Sequence, residues 1–301
     1  MWSRCSNWVA KPPPTCWVGE SASYRAAKNI EDRITLRRAN GKDTHQEAEL
    51  KGVEEYAIEC SILKVAVSED VQQTADEGVQ IFGGMGFSAD APMESAYRDA
   101  RISRIYEGTN EINRMLIVGM LLKKARKGHV DLLGPATAVG AELMGIPSFD
   151  IPEYTEILSL EKAHLGRLKK AFLMVAGKAV ETYGMDLEKH QELLMAAADI
   201  LIEIYMVESA LLRTEKNLKR FGAEAQKTQI AMCQWQLYQA TELIQSKGKE
   251  AILSFAEGDM QRILLMGLKR FTKYDTYPNP IALSQEIAKS ILEKGKYTLD
   301  S

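Results

Sequence analysis

Three features of the 301-residue sequence predict an all-α fold. No segment alternates apolar and polar residues with the period of two that a half-buried strand needs. Apolar residues recur instead at three- and four-residue steps, most clearly Leu193, Ala197, Ile200, Ile204, Val207 and Leu211, the seam of a bundled helix. Breaks fall near Tyr183-Gly184, Phe221-Gly222, Lys247-Gly248 and Tyr277-Pro278-Asn279-Pro280, leaving segments of helix length with short connections, as an antiparallel bundle requires. The expected architecture is a helical bundle followed by a second α-helical domain.

The first seventeen residues hold three of the four Trp and a Pro12-Pro13-Pro14 run without helical period. They read as a disordered or foreign segment, the alternative being a short Pro-rich recognition segment. A helix is expected from Glu20 to about Arg38, ended by Asn40-Gly41-Lys42-Asp43. His45, just past that turn, reads as solvated surface. On the longer helix that follows, Cys60, Leu63, Val67, Val71, Thr74 and Gly78 form the expected core face. Gly83, Gly84 and Gly86 then mark a turn whose bare backbone can approach another surface closely. Glu107 stands before Gly108, with Thr109 as the N-cap of a helix whose expected stripe is Ile112, Met115, Leu116, Gly119 and Leu122. Lys123, Lys124, Arg126 and Lys127 suit that helix's C-terminus, and Gly128 its C-cap. Glycines and prolines from Leu133 to Pro152 suggest a linker, and the remainder is helical.

Composition excludes several classes. A formal net charge of −3 leaves no basic footprint for nucleic acid. Cys5, Cys16, Cys60 and Cys233 lack C-x-x-C spacing and the four His are dispersed, so no metal site is expected. Cys60 reads as a small buried hydrophobe. No signal h-region is present, and the longest apolar run, Met115 to Leu122, is far short of the ~20 residues that span a bilayer. A soluble, cytoplasmic chain is expected.

Three ordered motifs, QIFGGMGF (Gln80–Phe87), YRDAR (Tyr97–Arg101) and IYEGTNEINR (Ile105–Arg114), resemble the C-terminal helical domain of acyl-CoA dehydrogenases. The resemblance runs from about Val18 to Gly128, and the helical extension beyond it is similar to that of the very-long-chain branch. It implies FAD-dependent α,β-dehydrogenation of a medium-to-very-long-chain fatty acyl-CoA to the trans-2-enoyl-CoA, as in fatty-acid β-oxidation, with electron-transfer flavoprotein as acceptor. Glu107 would be the base taking the α-proton, its own backbone N–H helping to hold the developing enolate oxygen. Tyr106 and Gly108 would lie against the acyl-CoA, and Thr109, Asn110 and Glu111 against the FAD. Gln80, Ile81, Phe82, Gly83 and Gly84 would face the FAD of a neighbouring subunit, which implies a homo-oligomer. Peripheral membrane contact through the extension is a further implication.

In that family the base comes late in the catalytic core, after an N-terminal helical domain and a middle β-domain that have no counterpart here. The resemblance therefore implies a truncated enzyme, with 1–17 foreign, 18–132 part of the C-terminal helical domain, 133–152 a linker and 153–301 the extension. The second reading is a catalytically inactive helical module that associates with itself through the exposed face of Val53–Gly78 and the glycine turn.

Overall fold

The computed structural model describes residues 9–145 and 153–297, and among these every regular element is helical. Helices α1 (Pro12–Ala39), α2 (His45–Glu55) and α3 (Ala57–Phe82) are followed by the single turn α4 (Gly84–Phe87), then α5 (Pro92–Ile102), α6 (Asn110–Arg126) and α7 (Leu133–Met144). The second half contains α8 (Ser159–Tyr183), α9 (Gln191–Phe221), α10 (Lys227–Phe255), α11 (Gly258–Thr272) and α12 (Pro280–Lys294). No described helix is long and apolar enough to cross a membrane.

Local chemistry sets many of these boundaries. Thr44 and Glu47 form a reciprocal capping box at α2, the Glu47 N–H donating to Thr44 Oγ1 at 3.2 Å and the Thr44 N–H to Glu47 at 2.9 Å. Asn279 caps α12 with Pro280 in its first turn. The expected breaks at Gly184 and Gly222 are helix ends in which glycine takes positive φ.

Four expectations are corrected. Helix α1 begins at Pro12, not Glu20, because prolines are tolerated in a first helical turn where N–H groups have no partner. Trp17 is fully buried and residues 12–17 are helical, so this part of the segment is not a disordered tail. Lys11 adds an ion pair to Glu77 of α3 at 2.5 Å; residues 1–8 lie outside the described residues. Lys247-Gly248 is not a break. Gly248 is interior to α10, where a Cβ would stand 2.8 Å from Leu268 Cδ1, so glycine there admits α11 closely. The stretch 133–152 is not all linker, since 133–144 form α7, which packs on α8; residues 146–152 lie outside the described residues.

The fourth correction concerns which faces are buried. Helix α3 turns Ser61, Ile62, Val65, Ser68, Gln72 and Ala75 inward, and α6 turns Asn110, Asn113, Ile117 and Val118. The expected apolar stripes lie toward the edge of these buried faces: Leu63, Met115 and Leu122 are half-buried against the core, Cys60 is half-buried, and Val71, Ile112 and Leu116 are exposed. The seam between α3 and α6 is polar, so hydrophobic period pointed away from it.

The two helical regions share one core. Trp17, Ile62, Val65 and Ile117 from the first join Leu168, Ile200, Met232, Ile252 and Ile287 from the second in a single continuous cluster. Helix α9 is its axis, packing against α1, α6, α8 and α10.

Candidate functional site

Between α5 and α6 the chain makes a tight loop. Ile105 and Tyr106 both donate to the Ile102 carbonyl, at 2.9 and 3.4 Å, and the Asn110 N–H donates to the Arg104 carbonyl at 3.1 Å. Within that loop Glu107 has φ of +57° and Gly108 of +78°. A left-handed conformation at a non-glycine residue costs on the order of 1–3 kcal/mol and persists only where its surroundings impose it. The Glu107 side chain is exposed, as are Tyr106 and Gly108. Thr109 caps α6 as expected, its hydroxyl accepting from the Ile112 N–H at 3.3 Å. Glu111, in the first turn, is held below the usual carboxylate range by its own backbone N–H, assisted against slight burial by Thr109, Arg114 and Arg104.

Beneath the loop lies a network that the sequence did not reveal. The Asn113 amide nitrogen lies 2.9 Å from the Gly108 carbonyl, 3.2 Å from that of Thr109 and 3.4 Å from that of Glu107. Arg114 forms a bidentate pair with Glu69 of α3 at 2.8 and 2.9 Å, and its Nε donates to Asp199 of α9 at 2.7 Å. Burial pushes the Glu69 carboxyl up, but Arg114, Asn110 and Arg104 outweigh it and hold the group below its usual range. The available signal was an asparagine and an arginine at positions facing inward on a helix whose apolar residues are equally abundant outside.

Asn110 faces inward. Its side chain is fully buried, accepting from Lys64 at 2.6 Å and donating to Ser68 and Glu69 at 3.0 Å each. With these hydrogen bonds directed into the α3 seam, it anchors the helix start. Tyr106, Glu107, Gly108, Thr109 and Glu111 remain together at the loop.

The Gln80–Gly84 turn is a separate place. Gln80 lies twelve residues beyond Ser68 on α3, about 18 Å along the helix axis at 1.5 Å per residue. Ile81 is half-buried, while Gln80, Phe82, Gly83 and Gly84 are exposed. A Cβ added at Gly83 or Gly84 would meet nothing within 4 Å, so their backbone is open to close approach. Gly86 differs from both, since a Cβ there would stand 2.6 Å from the Val79 carbonyl and the chain folds back on itself only with glycine.

Exposed Ile105 and Tyr106 precede Glu107 and exposed Ile112 lies on the first turn of α6, while the charged Lys64 lies close enough to interact with Glu107, Glu111 and Arg104. Two cavities, of about 300 and 780 Å³, lie elsewhere, lined respectively by Leu121, Phe172 and Leu193 and by Ala136, Gly177 and Met260; neither reaches Glu107. Among the described residues no group of three or more His, Cys, Asp or Glu is placed to hold a metal ion.

Two family models, each described as acyl-CoA dehydrogenase, C-terminal domain, match residues 22–122 and 167–270. The chain is 40% identical over 283 residues to a probable acyl-CoA dehydrogenase of Bacillus subtilis, covering 93% of this chain and 46% of that protein. It is 29% identical over 242 residues to the rat mitochondrial very long-chain specific acyl-CoA dehydrogenase, covering 74% of this chain and 36% of the relative. The crystal structure of an acyl-CoA dehydrogenase complexed with FAD from Bacillus anthracis superposes with a TM-score of 0.90 at 39% identity, over 98% of this chain and 50% of that one. The chain thus spans about half the length of these relatives or less.

Proposed function

This chain belongs to the acyl-CoA dehydrogenase family, and from that premise we propose that it carries the general base for the α,β-dehydrogenation of a fatty acyl-CoA, with Glu107 as that base. The observation that supports this most directly is the exposed Glu107 carboxylate on a left-handed loop residue at the N-terminus of α6. A carboxylate there can take the α-proton. The C–H electron pair then moves to the thioester oxygen, which the Glu107 N–H would stabilise as an enolate.

FAD, when bound, supplies the acceptor that takes the β-hydrogen as hydride. The open backbone at Gly83 and Gly84 fits a group that approaches closely from outside, and the exposed Glu111 and capped Thr109 fit a second contact at the helix start. Those two places are far apart on this chain, which suits contact with the cofactors of two subunits. Tyr106 and Gly108 would border the acyl-CoA. A medium-to-very-long acyl chain, a place in β-oxidation and electron-transfer flavoprotein as acceptor belong to the same proposal. The similarity to the very long-chain specific relative covers 74% of this chain, enough to extend into the second helical region, and supports the longer substrates. Exposed Met260, Ile263 and Met266 beside Arg262 on α11 give that region a face suited to peripheral membrane contact.

The test is Glu107→Gln in the flavin-loaded protein. Flavin absorbance should be retained, and substrate-dependent bleaching should slow by about 10²–10⁴, the contribution of a positioned general base. Bleaching at the parent rate would place the base elsewhere. A chain that takes up no flavin would support the inactive, self-associating module instead.

A further inference from the structure

We infer that the Asn113 side chain is a positioning residue for Glu107, fixing the loop in the left-handed conformation that presents the carboxylate; this rests on the proposal that Glu107 is the base. Three consecutive carbonyl oxygens, those of Glu107, Gly108 and Thr109, converge on one amide nitrogen at 3.4, 2.9 and 3.2 Å. Carbonyls only accept, so the group facing them must be the donor end of the amide, which settles its orientation. Its two hydrogens serve the two nearer oxygens, and the third contact is shared. The Thr109 carbonyl also accepts the Asn113 backbone N–H at 3.0 Å as part of α6, so what the amide itself turns inward are the Glu107 and Gly108 carbonyls, with the Glu107 side chain left outward.

Other features of the loop agree. A Cβ at Gly108 would lie 3.1 Å from that same nitrogen, so glycine is needed there for the amide to approach as well as for its φ of +78°. Asn113 is itself buried, one position before Arg114, whose pairs with Glu69 and Asp199 hold the helix to α3 and α9. The donor therefore stands on a fixed base, and the loop is the part that conforms to it.

The decisive variant is Asn113→Asp, which keeps the volume and removes both N–H donors. The amide protons of Asn110 and Ile112, bonded to the Arg104 carbonyl and the Thr109 hydroxyl, report on the loop in this chain without any turnover. Losing two hydrogen bonds should speed their exchange by about ten- to a hundredfold, with amides in α8 to α12 unchanged. Should that variant fail to fold, a trans-hydrogen-bond coupling from the Asn113 side-chain amide to the Gly108 carbonyl in the parent chain reports the same contact. In flavin-loaded protein kcat should fall with KM little changed, and Asn113→Gln, which restores a donor, should recover part of it. Unchanged exchange at Asn110 and Ile112, or absence of the coupling, would overturn the inference. If the exchange result holds while Glu107→Gln stays active, the clamp stands and the assignment of the base fails.

Discussion

Trp17 shows how one residue can tie two regions together. Its indole N–H donates to Thr214 Oγ1 of α9 at 3.2 Å, the Arg213 guanidinium sits 3.8 Å over its ring, and Thr214 in turn meets Cys233 Sγ of α10 at 3.1 Å. Burial in that cluster pushes the Cys233 thiol up to about 12, so it stays neutral. Replacing Trp17 by Ala should cost about 3–5 kcal/mol, as for large aromatic deletions in cores, read as a shift in the urea midpoint at constant slope. A cost below about 1 kcal/mol, the size of an ordinary surface change, would show that the first turn of α1 is not part of the core. None of this was visible in the sequence, because a single tryptophan after three prolines has no periodic partner. Glu107 and Thr109 were legible for the opposite reason, since capping chemistry and a motif are local and survive in one dimension. Asn113 and Arg114 were not, because their partners lie across the chain or in backbone carbonyls.

Between elements, the contact of α3 with α9 carries a half-buried carboxylate pair, Asp70 and Glu203. Burial, then Glu203 and Glu69, pushes Asp70 up to about 8; burial pushes Glu203 up to about 7, Asp199 and Glu69 adding to it and Gln236 opposing. An acid whose pKa is higher folded than unfolded binds more protons in the native state. Its stabilisation is present below the unfolded value and is lost as pH rises through the folded one. The pair should therefore erode stability as pH rises from about 4 to about 8. Asp70→Asn should raise the thermal midpoint more at about pH 8 than at about pH 5, and an equal gain at both would show that Asp70 is ionised throughout. The polar seam between α3 and α6 explains why apolar period alone does not give the buried faces of these two helices. Both helices carry apolar residues on their outer sides, and amphipathic period cannot distinguish a stripe that meets the chain's own core from one that faces outward. The long bundle helix α9 was legible because its buried face is apolar, from Leu193 to Leu211.

At the scale of the molecule, one core runs from Trp17 to Ile287, yet much apolar surface stays outside it. The outer side of α3 and the turn that follows expose Val71, Phe82, Met85 and Phe87, the last at 83%. Scattered apolar residues need no explanation, but Phe82, Met85 and Phe87, within six positions at one turn, form a group of the kind that interaction surfaces use. Self-association through this surface is therefore expected, and sedimentation equilibrium at micromolar concentration should show a species heavier than 33.6 kDa. The double variant Phe82→Glu with Phe87→Glu provides the specific test. Burying one such ring is worth about 1.5–3 kcal/mol, and each 1.4 kcal/mol is about a factor of ten in affinity, so association should weaken at least about tenfold. Because both rings are exposed in the single chain, the thermal midpoint measured at dilutions where the parent is monomeric should not fall. A parent chain that remains monomeric at about a hundred micromolar, or a variant that associates as tightly as the parent, would place the contact on a different face.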